Sequence, residues 1–299
     1  MEYRTLGKSN LQISAIGFGC MSLQPDAPDN RFIIDHALEK GINFFDTADL
    51  YAKGMSETML GQYLKEKRKE VILATKVGNQ WREDGSGWDW NPSKEYIIEA
   101  VEKSLQRLQT DYIDLYQLHG GTIEDNMDDT IDAFETLQQQ GKIRHYGISS
   151  IRPNVIAYYM QHSNMVSVMM QYSLLDRRPE EQCLDLLQQH NIGVLARGSL
   201  ASGLLIHKQP QDYLGHFATV VETAAKTVKA VTIPHRNPTQ TAIRYVLQHP
   251  AVSSAVVGIR TKQQLQEALL VPAAPDLTAA ETEVLRHAVP ANFYEQHRL

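Results

Sequence analysis

"NFFDTADLYA" (43–52) starts as a buried strand and stops on polar chemistry. Its apolar run ends at an acid, Asp46, and a phenol, Tyr51, follows five residues later among small or polar neighbours. Seven other short apolar runs share the first half of that pattern. They are ISAIGFG (13–19), EVILATKV (70–77), YIDLYQLH (112–119), IRHYGISS (143–150), VSVMMQ (166–171), IGVLARG (192–198) and AVSSAVVG (251–258). Segments of helical period lie between them, such as NRFIIDHALEKG (30–41), PSKEYIIEAVEKSLQRLQ (92–109) and DDTIDAFETLQQQG (128–141). In the last, Ile131, Phe134 and Leu137 recur at helical spacing and Gly141 stands where a stop is expected.

Strands that alternate with helices need parallel crossovers. Eight of them predict a closed (β/α)8 TIM barrel rather than an open doubly wound sheet. The alternating residues around GKSN predict a small β-hairpin before the barrel. The interval between strands seven and eight is the longest, with a loop over 207–217 and a helix near 219–230. A last helix is expected within 275–289. No Gly/Ser/Pro linker divides the chain, so residues 1–299 are expected to form one domain.

Composition narrows the partners. With 42% apolar and 21% charged residues, the chain has ample material for a core. A formal charge of −6 without a block of cations argues against nucleic acid or an anionic membrane surface; KEKRKE (65–70) is mixed in sign and reads as a solvated helix end. Cys20 and Cys183 form no CxxC, which excludes a disulfide framework and a structural zinc site. Neither a secretory signal nor a membrane span is visible, so a cytoplasmic protein is expected.

In such a barrel, chemistry gathers where the strands end. Strand two ends at Asp46, strand three at Lys76 and strand four at His119, with Tyr51 in the loop between the first two. Each alone has a plain structural use: a turn cap, a solvated cation, a packed aromatic. Together they form a device for delivering a proton. A phenol titrates near ~10 and is a poor acid unless its anion is stabilised. An ammonium at Lys76 would favour that anion, Asp46 would hold the ammonium, and His119 would donate a hydrogen bond to a substrate oxygen. Nothing in the set supplies a hydride, which calls for a redox cofactor.

Here the sequence resembles the aldo-keto reductases along essentially the whole chain. GINFFDTADLYAKGMSE (41–57), KSLQRLQTDYIDLYQLH (103–119) and the lysine of ILATKVG (72–78) look like that family's signatures, and LHGGTIEDN and GISSIRPNVI look closest to a bacterial branch of uncharacterised oxidoreductases. The resemblance implies a catalytic tetrad of Asp46, Tyr51, Lys76 and His119, with Tyr51 the general acid. It implies a nicotinamide cofactor touched by Gly19, Cys20 and Met21, and by Ser149, Ser150 and Gln171 at the carboxamide. Gly198, Ser199, Leu200 and Gly203 would line the pyrophosphate channel. Gly258, Arg260, Thr261, Lys262, Gln264 and Glu267 would hold the adenosine end; the cations and hydroxyl there suit a 2′-phosphate, so NADP is expected over NAD. Arg197 departs from the family pattern, standing where relatives carry an aromatic that stacks on the nicotinamide. Its guanidinium could stack there or grip the pyrophosphate.

Other features are weaker. GFGCMS (17–22) lacks the third glycine of a dinucleotide fingerprint. Trp81, Trp88 and Trp90 share the loop after strand three, either as an apolar wall for a carbonyl substrate or as a cluster packed over the rim. IEDNMDD (123–129) reads as a helix cap rather than a calcium loop, His207 and His216 as surface histidines, and Cys183 as core. No metal is expected. The reading is an NADP-dependent reductase of aldehydes or ketones, with a small-molecule carbonyl substrate, monomeric or weakly self-associating. Its competitor is a cofactor-binding sensor or subunit with vestigial catalysis. A lyase or hydrolase is disfavoured without a metal set or paired carboxylates.

Overall fold

The computed structural model describes residues 1–298. Eight parallel strands close into a barrel in chain order: Ile16–Gly19, Phe44–Asp46, Ile72–Val77, Ile113–Leu118, Ile143–Ser149, Ser167–Gln171, Gly193–Arg197 and Val252–Gly258. All eight expected strands are present. The first is shorter than its apolar run, because Ile13 and Ser14 belong to a different pairing. They sit in the return strand of an N-terminal hairpin, Tyr3–Thr5 with Gln12–Ser14, and the chain crosses into the barrel at Ala15.

Ten helices surround the barrel among the described residues: Asn30–Glu39 (α1), Met55–Leu64 (α2), Lys94–Leu108 (α3), Met127–Gln139 (α4), Pro153–His162 (α5), Cys183–Gln189 (α6), Ala218–Ala230 (α7), Pro238–Leu247 (α8), Lys262–Leu269 (α9) and Ala279–Ala288 (α10). The α4 helix ends where expected, and Gly141 follows at φ +74°. Its start is capped by Asn126, whose side chain accepts from Asp129 N, so the acidic run serves the helix. The expected Lys65–Glu70 helix end is a solvated 3-10 turn after α2.

Two apolar clusters divide the work. The larger lies between the barrel and its helices. The smaller fills the barrel itself with Phe44, Ala74, Leu115, Met169, Leu195 and Val256, and the hairpin's Leu6, Leu11 and Ile13 plug its lower end. The hairpin sits tightly: a Cβ on Gly7 (φ +53°) would stand 2.3 Å from the Val166 carbonyl oxygen.

That inner cluster fixes what the mouth displays. Side chains two residues apart on a strand share a face. Two residues beyond the inward Phe44, Ala74, Leu115, Met169, Leu195 and Val256 stand Asp46, Lys76, Gln117, Gln171, Arg197 and Gly258. The same count carries Gly17 to Gly19 and Gly147 to Ser149. The barrel's interior thus changes from apolar to polar in a single layer, at the ends of the strands.

Candidate active site

Lys76 is the centre of the polar layer and is fully buried. Its Nζ donates to Asp46 Oδ2 at 2.6 Å, to the Thr47 carbonyl at 2.7 Å and to the Tyr51 hydroxyl at 3.4 Å. Three donors meet three acceptors, which is the condition under which a buried ammonium is tolerated. Asp46 is held on its other oxygen by Gln117 Nε2 at 3.1 Å. Gln117 is level with Lys76 across the strand pairing; the sequence reading passed over it, although its inward phase in YIDLYQLH was available. His119, one residue beyond strand four, sets its ring edge-on to Tyr51 with centroids 5.8 Å apart. The structure therefore brings Asp46, Tyr51, Lys76 and His119 together.

Tyr51 rides on a strained turn. Ala52 and Lys53 have φ of +48° and +54°, and Gly54 has +84°. Left-handed backbone in non-glycine residues costs on the order of 1–3 kcal/mol each and persists where the surroundings impose it. Lys53 ties this turn to the next loop, donating to the Gly85 carbonyl at 3.2 Å and lying 5.0 Å from the Trp81 ring centroid. That loop is an antiparallel hairpin, Asn79–Trp81 with Trp88–Trp90. Its tryptophans differ in burial. Trp90 packs over the rim against Gly78 and Gly120, with its Nε1 donating to Asp125 at 3.0 Å, whereas Trp88 is exposed and Trp81 half-buried.

Burial sets the protonation of the cluster. It pushes the Tyr51 hydroxyl above the ordinary phenol value; the Lys76 ammonium pulls the other way without cancelling it. The net acidification expected from Lys76 is thus outweighed by desolvation, and the phenol keeps its proton. Burial likewise raises Asp46 against the opposing pull of Lys76. Desolvation pulls Lys76 down, but Asp46, Tyr51 and their hydrogen bonds together leave it raised. His119 falls to about 3 through burial, then Lys76 and Arg197, so its imidazole is neutral at any ordinary pH. Asp49, a buried acid three residues past Asp46, is pushed up to about 8 by burial and by Glu57.

The other arc of the mouth holds the remaining expected residues. Arg197 is exposed and donates Nη1 to Gln171 Oε1 at 3.1 Å, while Gln171 Nε2 donates to the Tyr213 hydroxyl at 2.9 Å. Both ends of that amide are engaged, so a ligand at Gln171 must share or displace a bond. Gly19 and Cys20 are buried, with the Cys20 thiol donating to the Phe18 carbonyl and pushed far up by burial, while Met21 is exposed. Ser150 Oγ accepts from Arg152 N at 3.2 Å, and Ser149 is half-buried. After strand seven, Gly198 and Gly203 take φ of +75° and +91°, and Ser199 Oγ is buried with no partner among the described residues. Leu200 lies partly buried in the same turn.

At the start of α9 the structure separates residues that the sequence grouped. Thr261 caps the helix, accepting from Gln264 N, and Gln264 accepts from Arg260 N. Glu267 accepts from Thr239 and Gln263. Lys262 pairs with Asp29 at 2.7 Å and lies over Phe32. Arg260 is exposed, and its guanidinium has no salt-bridge partner among the described residues. Gly258 opens onto Ser22, whose hydroxyl is also buried and unpaired. The two orphaned hydroxyls, the glycines and the free guanidinium are the donors and clearances that a phosphate-bearing dinucleotide needs, so the residues fit one.

The histidine expectation needs a correction: His207 is exposed, but His216 is buried, because Tyr213 and His216 bridge across the loop and fold it inward. Neither approaches a metal site, since the described residues contain no cluster of three possible ligands.

Comparison with known proteins decides the family. The profile of the Aldo/keto reductase family matches residues 15–288. The chain belongs to that family. It is 48% identical to an uncharacterized oxidoreductase, YqkF, of Bacillus subtilis, over the full length of both chains. An L-galactose dehydrogenase of Arabidopsis thaliana is 31% identical, with 89% of this chain and 86% of the relative covered. Among solved structures, the holo form of an aldo-keto reductase from Bacillus halodurans superposes with a TM-score of 0.94 at 47% identity, covering all of both chains. This aldo-keto reductase is therefore an oxidoreductase of a family that uses nicotinamide cofactors.

Proposed function

We propose that this protein reduces a small aldehyde or ketone with NADPH, and that Tyr51 gives the proton. The observation that carries the proposal is the sharing of one buried ammonium, Lys76 Nζ, between Asp46 and the Tyr51 hydroxyl. The bound cofactor would supply the hydride. Tyr51 would hold a proton until an oxygen beside it becomes negative, and Lys76 would stabilise the phenolate left behind. Asp46 and Gln117 would fix the ammonium. His119, neutral, would donate to the substrate oxygen and orient it.

The inner rows of strands one, five, six and seven would receive the nicotinamide, through Gly19, Cys20, Met21, Ser149, Ser150, Gln171 and Arg197. Gly198, Ser199, Leu200 and Gly203 would face the pyrophosphate. Gly258, Thr261, Gln264 and Glu267 would shape the adenosine end, with Arg260 the leading donor to a 2′-phosphate and Lys262 second, because Asp29 already holds it. Residues 1–299 would act as one domain, monomeric or weakly self-associating. Two buried free cysteines suit a reducing cytoplasm, and no helix among the described residues is long and apolar enough to cross a membrane.

Titration of NADPH and NADH by fluorescence quenching, followed by aldehydes and ketones with the tighter binder, tests this reading. NADPH should bind more tightly and be oxidised only when a carbonyl is added. Failure to bind either dinucleotide would refute the assignment; tight binding with negligible turnover on every carbonyl would favour a sensor.

A further inference from the structure

Beneath the Tyr51 turn lies an ion pair that the proposed chemistry leaves unused. Arg107, in the last turn of α3, donates Nε to Glu57 Oε2 at 2.6 Å, and Glu57 is fully buried. The other Glu57 oxygen accepts the Thr75 hydroxyl at 2.6 Å, and Thr75 directly precedes Lys76 on strand three. Arg107 also supports the turn from below: a Cβ on Gly54 would stand 2.8 Å from Arg107 Cδ. It reaches that place because α2 and α3 meet at Gly61, where a Cβ would lie 2.3 Å from the Arg107 carbonyl oxygen. A second rung runs alongside. Thr47 Oγ1 and Ser56 Oγ are 2.8 Å apart, and the Thr47 carbonyl is one of the three acceptors of Lys76.

We propose that Arg107 and Glu57 are positioning residues that brace the Tyr51 turn against the strand carrying Lys76. The proposal rests on Tyr51 being the proton donor. Contacts run in a closed loop from Tyr51 through Gly54, Arg107, Glu57 and Thr75 to Lys76, and the 3.4 Å bond between Lys76 and Tyr51 closes it. That bond is at the long end of the useful range, so a small drift of the turn would break it. Three successive left-handed residues will not hold such a position unaided. The ion pair resists rearrangement, because a buried Glu57 carboxylate without Arg107 would be an uncompensated charge. Arg107 meets the turn at Gly54 and Glu57 meets strand three at Thr75, so neither need touch the substrate.

Arg107→Met, Arg107→Lys and Thr75→Val test the brace, with folding checked by circular dichroism. Thr75→Val exchanges the hydroxyl that Glu57 accepts for a methyl and serves if Arg107→Met does not fold. In protein carrying ring-13C tyrosine, the Tyr51 resonance is assigned from Tyr51→Phe. Arg107→Met should move that resonance and slow single-turnover NADPH oxidation by about 10- to 100-fold, with the NADPH Kd within about twofold of wild type. Thr75→Val should give a smaller change in the same sense, and Arg107→Lys should retain most of the rate. On a Tyr51→Phe background, Arg107→Met should cause no further loss. An unmoved resonance overturns the proposal, and so does an equal further loss on that background. If the wild type reduced no carbonyl, the functional reading would fall while the resonance still decided the brace.

Discussion

Strands two to four and strands six to eight end in the same inner layer, yet they furnish it differently. In the first arc Asp46, Lys76 and Gln117 are almost wholly buried, and one ammonium satisfies an aspartate, a carbonyl and a phenol. The second arc offers a half-buried Gln171, an exposed Arg197 and an open Gly258, followed by exposed Arg260 and Lys262. One arc is fixed by bonds within the chain. The other holds its donors in exchangeable bonds, such as Arg197 to Gln171, or in contact with water. Groups that must stabilise developing charge gain from being fixed in a dry site beforehand; groups that admit and release a large cofactor gain from being displaceable.

Substitutions in the first arc should cost the fold as well as the reaction, whereas those in the second should cost binding alone. Lys76→Met should have the largest effect. It leaves Asp46 buried without its cation, which should cost about 3–5 kcal/mol of stability in denaturant titration and abolish detectable carbonyl reduction.

Asp49→Asn should come next, through its pH dependence. The folded protein keeps the Asp49 proton up to about 8, whereas an unfolded chain releases it near ~4. The native state therefore binds more protons between those values, and stability declines as pH rises through that window. Thermal scans between pH 5 and 9 should show a fall in Tm that is shallower in Asp49→Asn.

In the second arc, Arg260→Ala should weaken NADPH by on the order of tenfold with little change for NADH, as loss of one charge-assisted phosphate contact implies. Lys262→Ala should do less, since Asp29 already occupies that ammonium. Isothermal titration measures both; equal losses would show that the Asp29 pair yields freely to the cofactor. His119 should have the slightest signature. With its imidazole neutral down to about 3, kcat/KM should show no inflection near pH 6.5, and one that vanished in His119→Gln would contradict a desolvated ring.

The sequence exposed the barrel because strands buried on both faces read as uninterrupted apolar runs. It exposed the charged arc because the polar residues stand at the ends of those runs. Phe44 predicts the facing of Asp46, and the same count from Leu115 would have found Gln117. Other features left no local trace. The Asp29–Lys262 pair joins residues from opposite ends of the chain, and no period links Glu57 to Arg107 or Thr75. The tryptophan hairpin hid in a segment rich in Gly, Asp and Asn that reads as a loop. His216 looked superficial because its cover comes from a turn within the loop itself. Protonation was the subtlest miss: the order of charges around Tyr51 was legible, but the depth of burial that outweighs Lys76 is a property of the folded barrel.

The proton-donor assignment is tested most directly by Tyr51→Phe, followed in one cuvette for NADPH binding and then for aldehyde-dependent NADPH oxidation. The account predicts a Kd for NADPH close to wild type and turnover reduced by about 10²–10⁴-fold. Turnover at the wild-type rate would show that the proton comes from elsewhere.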